Sequence, residues 1–136
     1  MQTEQGWLIG PGDKALACDA QGRVSFDRVE LTDADLLEAT AVEGDYRATI
    51  RSVAHPDRYV TGDATQFAPG GNPCLAFYGA ASADVFGPDG KPGFYQRWAF
   101  GQWASGIVSA GVDYIEQGAN NGRHFKSPQL TWVKKS

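Results

Sequence analysis

Short runs with strand character, separated by glycine and proline, dominate the chain. The segment YRATIRSV (46–53) alternates apolar and polar side chains, with Ile50 on one side and Arg51 on the other. A period of two predicts a half-buried β-strand. Further short runs rich in β-branched and aromatic residues, bounded by turn-forming residues, predict strands at 58–62, 74–79, 106–111 and 130–135.

One segment, LTDADLLEATAVEG (31–44), could form a helix in place of a strand. Thr32 suits an N-cap, and Asp33 and Asp35 suit a first helical turn because carboxylates favour the positive end of the helix dipole. Residues 38–42, however, also alternate as a strand does. We therefore expect a short helical turn near 32–36 followed by a strand, which makes the chain all-β, a sandwich or a barrel-like fold.

The chain contains a weak threefold repeat, seen in residues 16–25, 50–61 and 107–116. Each segment opens with an aliphatic residue and has a small polar or thiol residue two positions later; these pairs are Leu16 and Cys18, Ile50 and Ser52, and Ile107 and Ser109. The strands that lead into the repeats carry the large apolar residues Trp7, Leu37 and Trp98, and Trp132 is expected on a closing strand. Units of this kind suggest a closed threefold barrel.

The predicted architecture is thus a single all-β domain, 1–136, with a β-trefoil fold and a β-sandwich as the alternative. The approximate repeats are 7–36, 37–97 and 98–136. Their uneven length falls in the Gly/Pro-rich region 66–95, where insertions are tolerated most easily. At 136 residues and 42% hydrophobic composition, the chain is long and apolar enough for one core.

Charge and residue usage exclude several classes of function. A net charge of −4 argues against nucleic-acid binding, which needs a basic face, and no apolar run is long enough for a membrane span. The first ten residues lack the pattern of a secretory leader, so we expect a cytoplasmic protein or a mature secreted form. Two cysteines, Cys18 and Cys74, and two histidines, His55 and His124, are too few for a predicted metal site. No cofactor is expected, and the pairing of the cysteines stays open.

Three motifs carry a resemblance to β-trefoil families. Ser52–Val60, SVAHPDRYV, resembles the Ser-x-x-x-Pro-x-Arg-Tyr-aliphatic signature of arabinofuranosidase B-type carbohydrate-binding trefoils, and it is similar to a strand pair of fascin-like trefoils. Gln96-Arg97-Trp98 is similar to the Gln-x-Trp element of ricin-type trefoil lectins, which 129–132 matches imperfectly. The chain differs in having Thr61-Gly62 where the first family has Arg-His. Cys18-Asp19 is its one match to the aspartate that ricin-type repeats place beside a cysteine-containing strand.

The His-Pro-Asp sequence at 55–57 has two interpretations. In the first, His55 is a general base oriented by Asp57, and a small hydrolase using His55 or His124 is an alternative function. In the second, Pro56 fixes a turn between two strands, and Asp57 bonds local backbone N–H groups. The turn is favoured because residues 55 and 57 of a tight turn project to different sides. We therefore expect no catalytic residues.

The resemblance implies ligand pockets beside such turns, and sugars suit their carboxylates, amides and aromatic faces. The candidate ligand-binding residues are Asp57, Arg58, Tyr59 and Asp63 in the second repeat, Asp113, Tyr114, Asn120 and Asn121 in the third, and Trp103 beside a Gly-rich turn. The predicted function is a non-catalytic, lectin-like carbohydrate-binding module. A protein–protein interaction module of fascin-like or cytokine-like type, using an aromatic loop at 77–98, is the alternative.

Overall fold

All regular structure in the described residues is β, as predicted. The computed structural model describes residues 3–42, 47–67, 73–79, 96–100, 115–118, 124–127 and 130–136, with side chains at 3–10, 12–42, 47–61, 96–98 and 130–136. These hold two 3₁₀ turns, Pro11–Asp13 and Asp33–Asp35. They also hold eleven strands: β1 Thr3–Ile9, β2 Ala15–Cys18, β3 Val24–Arg28, β4 Leu37–Ala41, β5 Ala48–Ser52, β6 Arg58–Phe67, β7 Pro73–Gly79, β8 Trp98–Phe100, β9 Ile115–Gly118, β10 His124–Ser127 and β11 Thr131–Lys134.

Every strand pair is antiparallel, and the strands form one connected sheet. Its main path runs β10-β9-β8-β5-β4-β1-β2-β3, while β11 pairs with β1 and β6 pairs with both β5 and β7. Within the described segments, no helix is of the length and apolar character that a membrane crossing needs.

The pairing pattern of the first four strands is repeated by the next four. On one edge, β1 pairs first with β4 along Thr3–Gly6 and then with β2 at Ile9, and on its other edge it pairs with β11. In the same way β5 pairs with β8 at Ala48 and with β6 at Arg51 on one edge, and with β4 on the other. Two groups of strands, β1–β4 and β5–β8, therefore share one pairing pattern.

The core lies on the inner face of these strands. Its buried members are Leu8, Leu16, Leu37, Ala39, Ala48, Ile50, Val60, Trp98 and Trp132, and the side chains of Cys18, Val24, Phe26 and Ala41 pack against them. Leu16 and Ile50, aligned by the repeat, are both almost completely buried. Trp132 lies on β11, which pairs with β1, and its side chain is completely buried.

The local predictions for residues 31–42 hold, with one difference. A 3₁₀ turn occupies Asp33–Asp35 and β4 follows, as the sequence predicts. Thr32 is at the N-cap position but makes no capping bond with its side chain. Instead, its carbonyl oxygen accepts hydrogen bonds from the Trp7 indole N–H (2.8 Å) and the Asp35 backbone N–H (3.2 Å).

One prediction about exposure is wrong. The strand at 46–53 is not half-buried, because Arg47 (3% exposed) and Thr49 (8%) on its polar side are buried as well as Ile50. Alternation reports the polarity of the two faces of a strand, whereas exposure depends on what packs over each face. By contrast, the strand predicted at 74–79 is confirmed as β7, which pairs with β6 along most of its length and contains the aromatic residues at 77 and 78.

Candidate ligand-binding site at the hairpin corner

Two hairpin turns meet at one end of the sheet. The β2–β3 turn contains Asp19–Arg23, and residues 53–57 join β5 to β6. From the start of β6, the Arg58 guanidinium donates a hydrogen bond of 3.2 Å to the Ala20 carbonyl oxygen, which lies 38 residues away in the sequence. We call the group Asp19, Ala20, Arg23, Asp57 and Arg58 the hairpin corner.

Asp19 organises the first of these turns. Its Oδ1 atom accepts hydrogen bonds of 2.9 Å from the backbone N–H groups of Gln21 and Arg23, and Gly22 (φ 83°) supplies the left-handed residue that lets the chain reverse. The Arg23 Nε atom lies 3.3 Å from Oδ2. The carboxylate is thus held in place by its own turn before any ligand arrives.

The surroundings of Asp19 favour its charged form. The backbone N–H of Arg23 contributes most to lowering the pKa of the Asp19 carboxyl below its ordinary value of 3.8, opposed by a smaller effect of desolvation. The N–H of Gln21 and the guanidinium groups of Arg23 and Arg58 lower the pKa further. Asp19 is therefore ionised at neutral pH and presents a fixed negative charge beside Arg58.

The His-Pro-Asp sequence forms the corner between two strands, as the favoured interpretation predicts. The Arg58 backbone N–H donates to the His55 carbonyl oxygen (2.9 Å) and closes the turn. The Ser52 hydroxyl accepts a hydrogen bond of 3.0 Å from the His55 backbone N–H. In this described segment, then, Ser52 performs the backbone bonding that was expected of Asp57, and the Asp57 side chain is exposed.

The same contacts bear on the hydrolase alternative. The Ser52 hydroxyl contacts the backbone of His55, and no hydrogen bond in the described part of the chain joins the His55 imidazole to Ser52 or Asp57. His124 lies on β10 opposite Gly118, and its side chain is outside the described residues.

The predicted ligand-binding residues are distributed as follows. Asp57 and Arg58 lie at the hairpin corner, but the Tyr59 side chain is on the opposite face of β6, because successive residues of a strand alternate between faces. The backbone of Asp63 pairs with Cys74 within β6 and β7, and its side chain is outside the described set. Five further predicted residues also lie outside the described residues: Trp103, Asp113, Tyr114, Asn120 and Asn121.

Asp19 is the site residue that the candidate set omits. The repeat alignment places Cys18-Asp19 against Ser52-Val53, so a carboxylate next to the turn was visible in the sequence. The spacing of Asp19 and Gly22 is also typical of a turn that an aspartate side chain closes. What the local pattern could not supply is Arg58, which reaches this turn from another hairpin.

Cys18 lies beneath the corner as a free, half-buried thiol that donates to the Asp19 carbonyl oxygen at 3.3 Å. Burial raises the pKa of the Cys18 thiol above 9.0, with a smaller increase from Asp19, while the Arg58 guanidinium acts in the opposite direction. The thiol therefore stays protonated at neutral pH. Among the described residues, His, Cys, Asp and Glu side chains form no group of three that could hold a metal ion.

No protein-family model, no curated protein and no solved structure matches the chain.

Proposed function

We propose that the chain is a non-catalytic carbohydrate-binding module with a β-trefoil fold. The repeated pairing of β1–β4 and β5–β8 supports this fold, since a trefoil consists of three such four-stranded units. The strands β9, β10 and β11 would belong to the third unit. Buried Gln96 and Trp98 add support, because the Trp98 indole N–H donates to the Val60 carbonyl oxygen (3.0 Å) in the core.

This pairing pattern suggests a different division of the chain from the repeats 7–36, 37–97 and 98–136 that the sequence predicts. In the pairing pattern, β4 completes the first unit, because it occupies the place beside β1 that β8 occupies beside β5. The first unit would then extend to Ala41, and the second would begin near β5 and end with β8.

The main support for sugar binding is the hydrogen bond between Arg58 and Ala20. It holds a guanidinium group against a turn whose carboxylate, Asp19, is ionised and bonded to the backbone. A sugar ring presents neighbouring hydroxyl groups that both donate and accept, so it can donate to the Asp19 and Asp57 carboxylates and accept from Arg58. Because hydrogen bonds already hold Asp19 and Arg58 in position, binding loses little of their side-chain entropy.

Thermal unfolding in the presence of monosaccharides tests this proposal. A sugar at 100 times its dissociation constant stabilises the folded state by about 2.7 kcal/mol. For a domain of this size, that raises the unfolding midpoint by roughly 5–10 °C. A panel of pentoses, hexoses and uronic acids at high millimolar concentration therefore detects even weak binding.

The variants Asp19→Asn, Asp57→Ala and Arg58→Gln locate the site. We expect each of them to reduce the shift caused by the binding sugar, whereas Asp27→Asn, an exposed carboxylate on β3, should leave it unchanged. A flat response of the wild-type protein to every sugar would contradict the proposal. So would a shift that survives all three corner substitutions.

A protein–protein interaction module is the second candidate, and one observation favours it. Val29 and Leu31, in the connection after β3, are 80% and 42% exposed although both are large and apolar. Exposed apolar residues that lie close together are typical of contact surfaces for partners. If sugars leave the unfolding midpoint unchanged, a cross-linking experiment comparing wild type with Val29→Ser/Leu31→Ser tests this second function.

A further inference from the structure

Four partly exposed side chains form a row across the sheet, on the face that lies opposite Ala39, Ile50 and Val60. In the strand register, Gln5 on β1 is opposite Glu38 on β4, Glu38 is opposite Arg51 on β5, and Arg51 is opposite Tyr59 on β6. Residues directly opposite each other in an antiparallel pair project from the same face. The contacts agree: Gln5 Nε2 is 3.3 Å from one Glu38 carboxylate oxygen, and the Arg51 guanidinium is 2.6 Å from the other.

This cross-strand row (Gln5, Glu38, Arg51 and Tyr59) is accessible from solvent. All four residues are partly exposed, whereas neighbours in the same strands, such as Ala39, Ile50 and Val60, project inward and are buried in the core. The row is also separate from the hairpin corner. Arg58 bonds Ala20 from one face of β6, and Tyr59 projects from the other.

The charges of the row indicate which ligands it suits. Glu38 and Arg51 neutralise each other at 2.6 Å, so the row has no net charge and offers little attraction to an acidic polymer. What it presents is an amide, a carboxylate, a guanidinium and a phenol ring in succession. Hydroxyl groups can exchange bonds with the three polar groups, and the C–H face of a sugar can pack on the ring.

The shape of the row indicates the size of the ligand. Adjacent strands are about 4.8 Å apart, so four side chains on four neighbouring strands extend over about 14 Å. A single sugar ring covers only part of that length. An extended chain of sugars, lying across the strands, can contact all four residues at once.

We propose that the cross-strand row is a second binding site, which takes an extended neutral glycan chain. The inference rests on the proposed function for the class of ligand only, since the two sites share no residue. The hairpin corner would hold one sugar unit, and the row would add affinity for a polymer.

Titration calorimetry with soluble neutral polysaccharides (β-glucan, xylan, arabinan and galactomannan) and their monosaccharides tests the row. We expect one polymer to bind the wild-type protein at least about tenfold more tightly than its own monosaccharide. Tyr59→Ala should remove most of that gain, about tenfold, through loss of the ring. Tyr59→Phe keeps the ring and should retain affinity within about threefold.

The double variant Glu38→Gln/Arg51→Gln provides a second test, and it decides the matter if Tyr59→Ala does not fold. It removes both charges with little change of shape, and we expect it to reduce polymer affinity while monosaccharide binding is unchanged. Glu30→Ala, in the connection after β3, is the control and should have no effect on either ligand. Because the row is neutral, raising the salt concentration from 50 to 500 mM should change the affinity less than about twofold.

Two results would overturn the proposal that the cross-strand row is a second binding site. One is a folded Tyr59→Ala or Glu38→Gln/Arg51→Gln variant with wild-type polymer affinity, and the other is a polymer that binds no more tightly than its monosaccharide. Neither result contradicts the proposed sugar site at the hairpin corner if the monosaccharide shift still depends on Asp19 and Arg58. If the monosaccharide shift does not depend on Asp19 and Arg58 while polymer binding still depends on Tyr59, the sugar site at the hairpin corner is contradicted. The second site at the cross-strand row is then supported.

Discussion

The indole nitrogen of Trp132 donates a hydrogen bond of 2.5 Å to the carboxylate of Glu4, and both side chains are buried. The bond joins β11 to β1 over 128 residues of sequence. A buried carboxylate is costly unless it is bonded, so this contact compensates for an otherwise unfavourable residue in the first strand. The other Glu4 oxygen lies 3.7 Å from Nζ of Lys134. The Lys134 side chain is half exposed, so we expect this ion pair to contribute little.

Replacing Glu4 tests the importance of that bond. Glu4→Ala leaves the Trp132 N–H buried without its carboxylate acceptor, and we expect a loss of about 2–3 kcal/mol in the free energy of unfolding. Glu4→Gln keeps a carbonyl acceptor in the same place and should cost about 1 kcal/mol. Urea denaturation measures both, and equal losses in the two variants would show that the hydrogen bond is not what matters.

Gly6 is needed for the close approach of β1 to β11. A Cβ atom at position 6 would lie 2.4 Å from the Val133 carbonyl oxygen and 2.7 Å from the Trp132 ring. The carbonyl belongs to a paired strand and cannot rotate away, so Gly6→Ala should destabilise the fold by about 2–3 kcal/mol.

Gly12 provides the matched control for that substitution. A Cβ atom there meets no atom within 4 Å, but φ is +72°, a conformation that alanine adopts with strain. Gly12→Ala should therefore cost about 1 kcal/mol, less than Gly6→Ala. The reverse order of the two unfolding free energies would contradict the close contact at Gly6.

Asp19 should give the protein an acid-sensitive component of stability. Its carboxyl has a pKa below the ordinary 3.8 in the folded state, so on acidification the unfolded chain takes up this proton first. The stabilisation is present above pH 3.8 and is lost as the pH falls through the lower, folded pKa. Urea midpoints measured from pH 6 to pH 2 should show this loss.

Two variants test whether Asp19 causes this loss of stability at low pH. Asp19→Asn keeps an oxygen acceptor but does not titrate, so its stability difference from wild type should shrink as the pH falls below about 4. Arg23→Gln should retain most of the acid dependence, because the backbone N–H of residue 23 lowers the pKa more than the guanidinium does. A pH-independent difference between wild type and Asp19→Asn would disprove the lowered pKa.

Cys18 should react slowly with alkylating agents. In a Cys74→Ser background, where it is the single thiol of the chain, the iodoacetamide rate should increase with pH to a midpoint above 9.0, because burial disfavours the thiolate. Arg58→Gln should raise the midpoint further and Asp19→Asn should lower it, since the two charges act in opposite directions. Shifts of the opposite sign would show that neither group acts on the thiol as described.

The local features of the fold were predictable from sequence. Turn-forming residues on either side of β5 and β6 indicate strands there, and Pro56 indicates the turn between them. The alignment of Leu16 with Ile50 predicts two equivalent core positions, because both strands meet the same core. Each of these inferences depends on neighbouring residues only.

The candidate sites depend on distant parts of the chain, and local patterns do not contain that information. Arg58 and Tyr59 are adjacent in sequence and were assigned to one site, yet they project from opposite faces of β6. The cross-strand row requires the register of Gln5 against Glu38, 33 residues apart. A shift of one residue would move Glu38 to the inner face, so the row could be recognised only once the register was known.

The pairing of β1 with β11 has a consequence for how the chain folds. The residues of β11 that pair with β1 lie more than a hundred positions later in the sequence. This part of the sheet is therefore completed only after a large loop has closed. Such non-local pairing is typical of domains that fold in milliseconds to seconds and not in microseconds. During synthesis on the ribosome, one edge of β1 has no partner strand until β11 has emerged. That edge is therefore a natural place for chaperones to bind or for early association between chains.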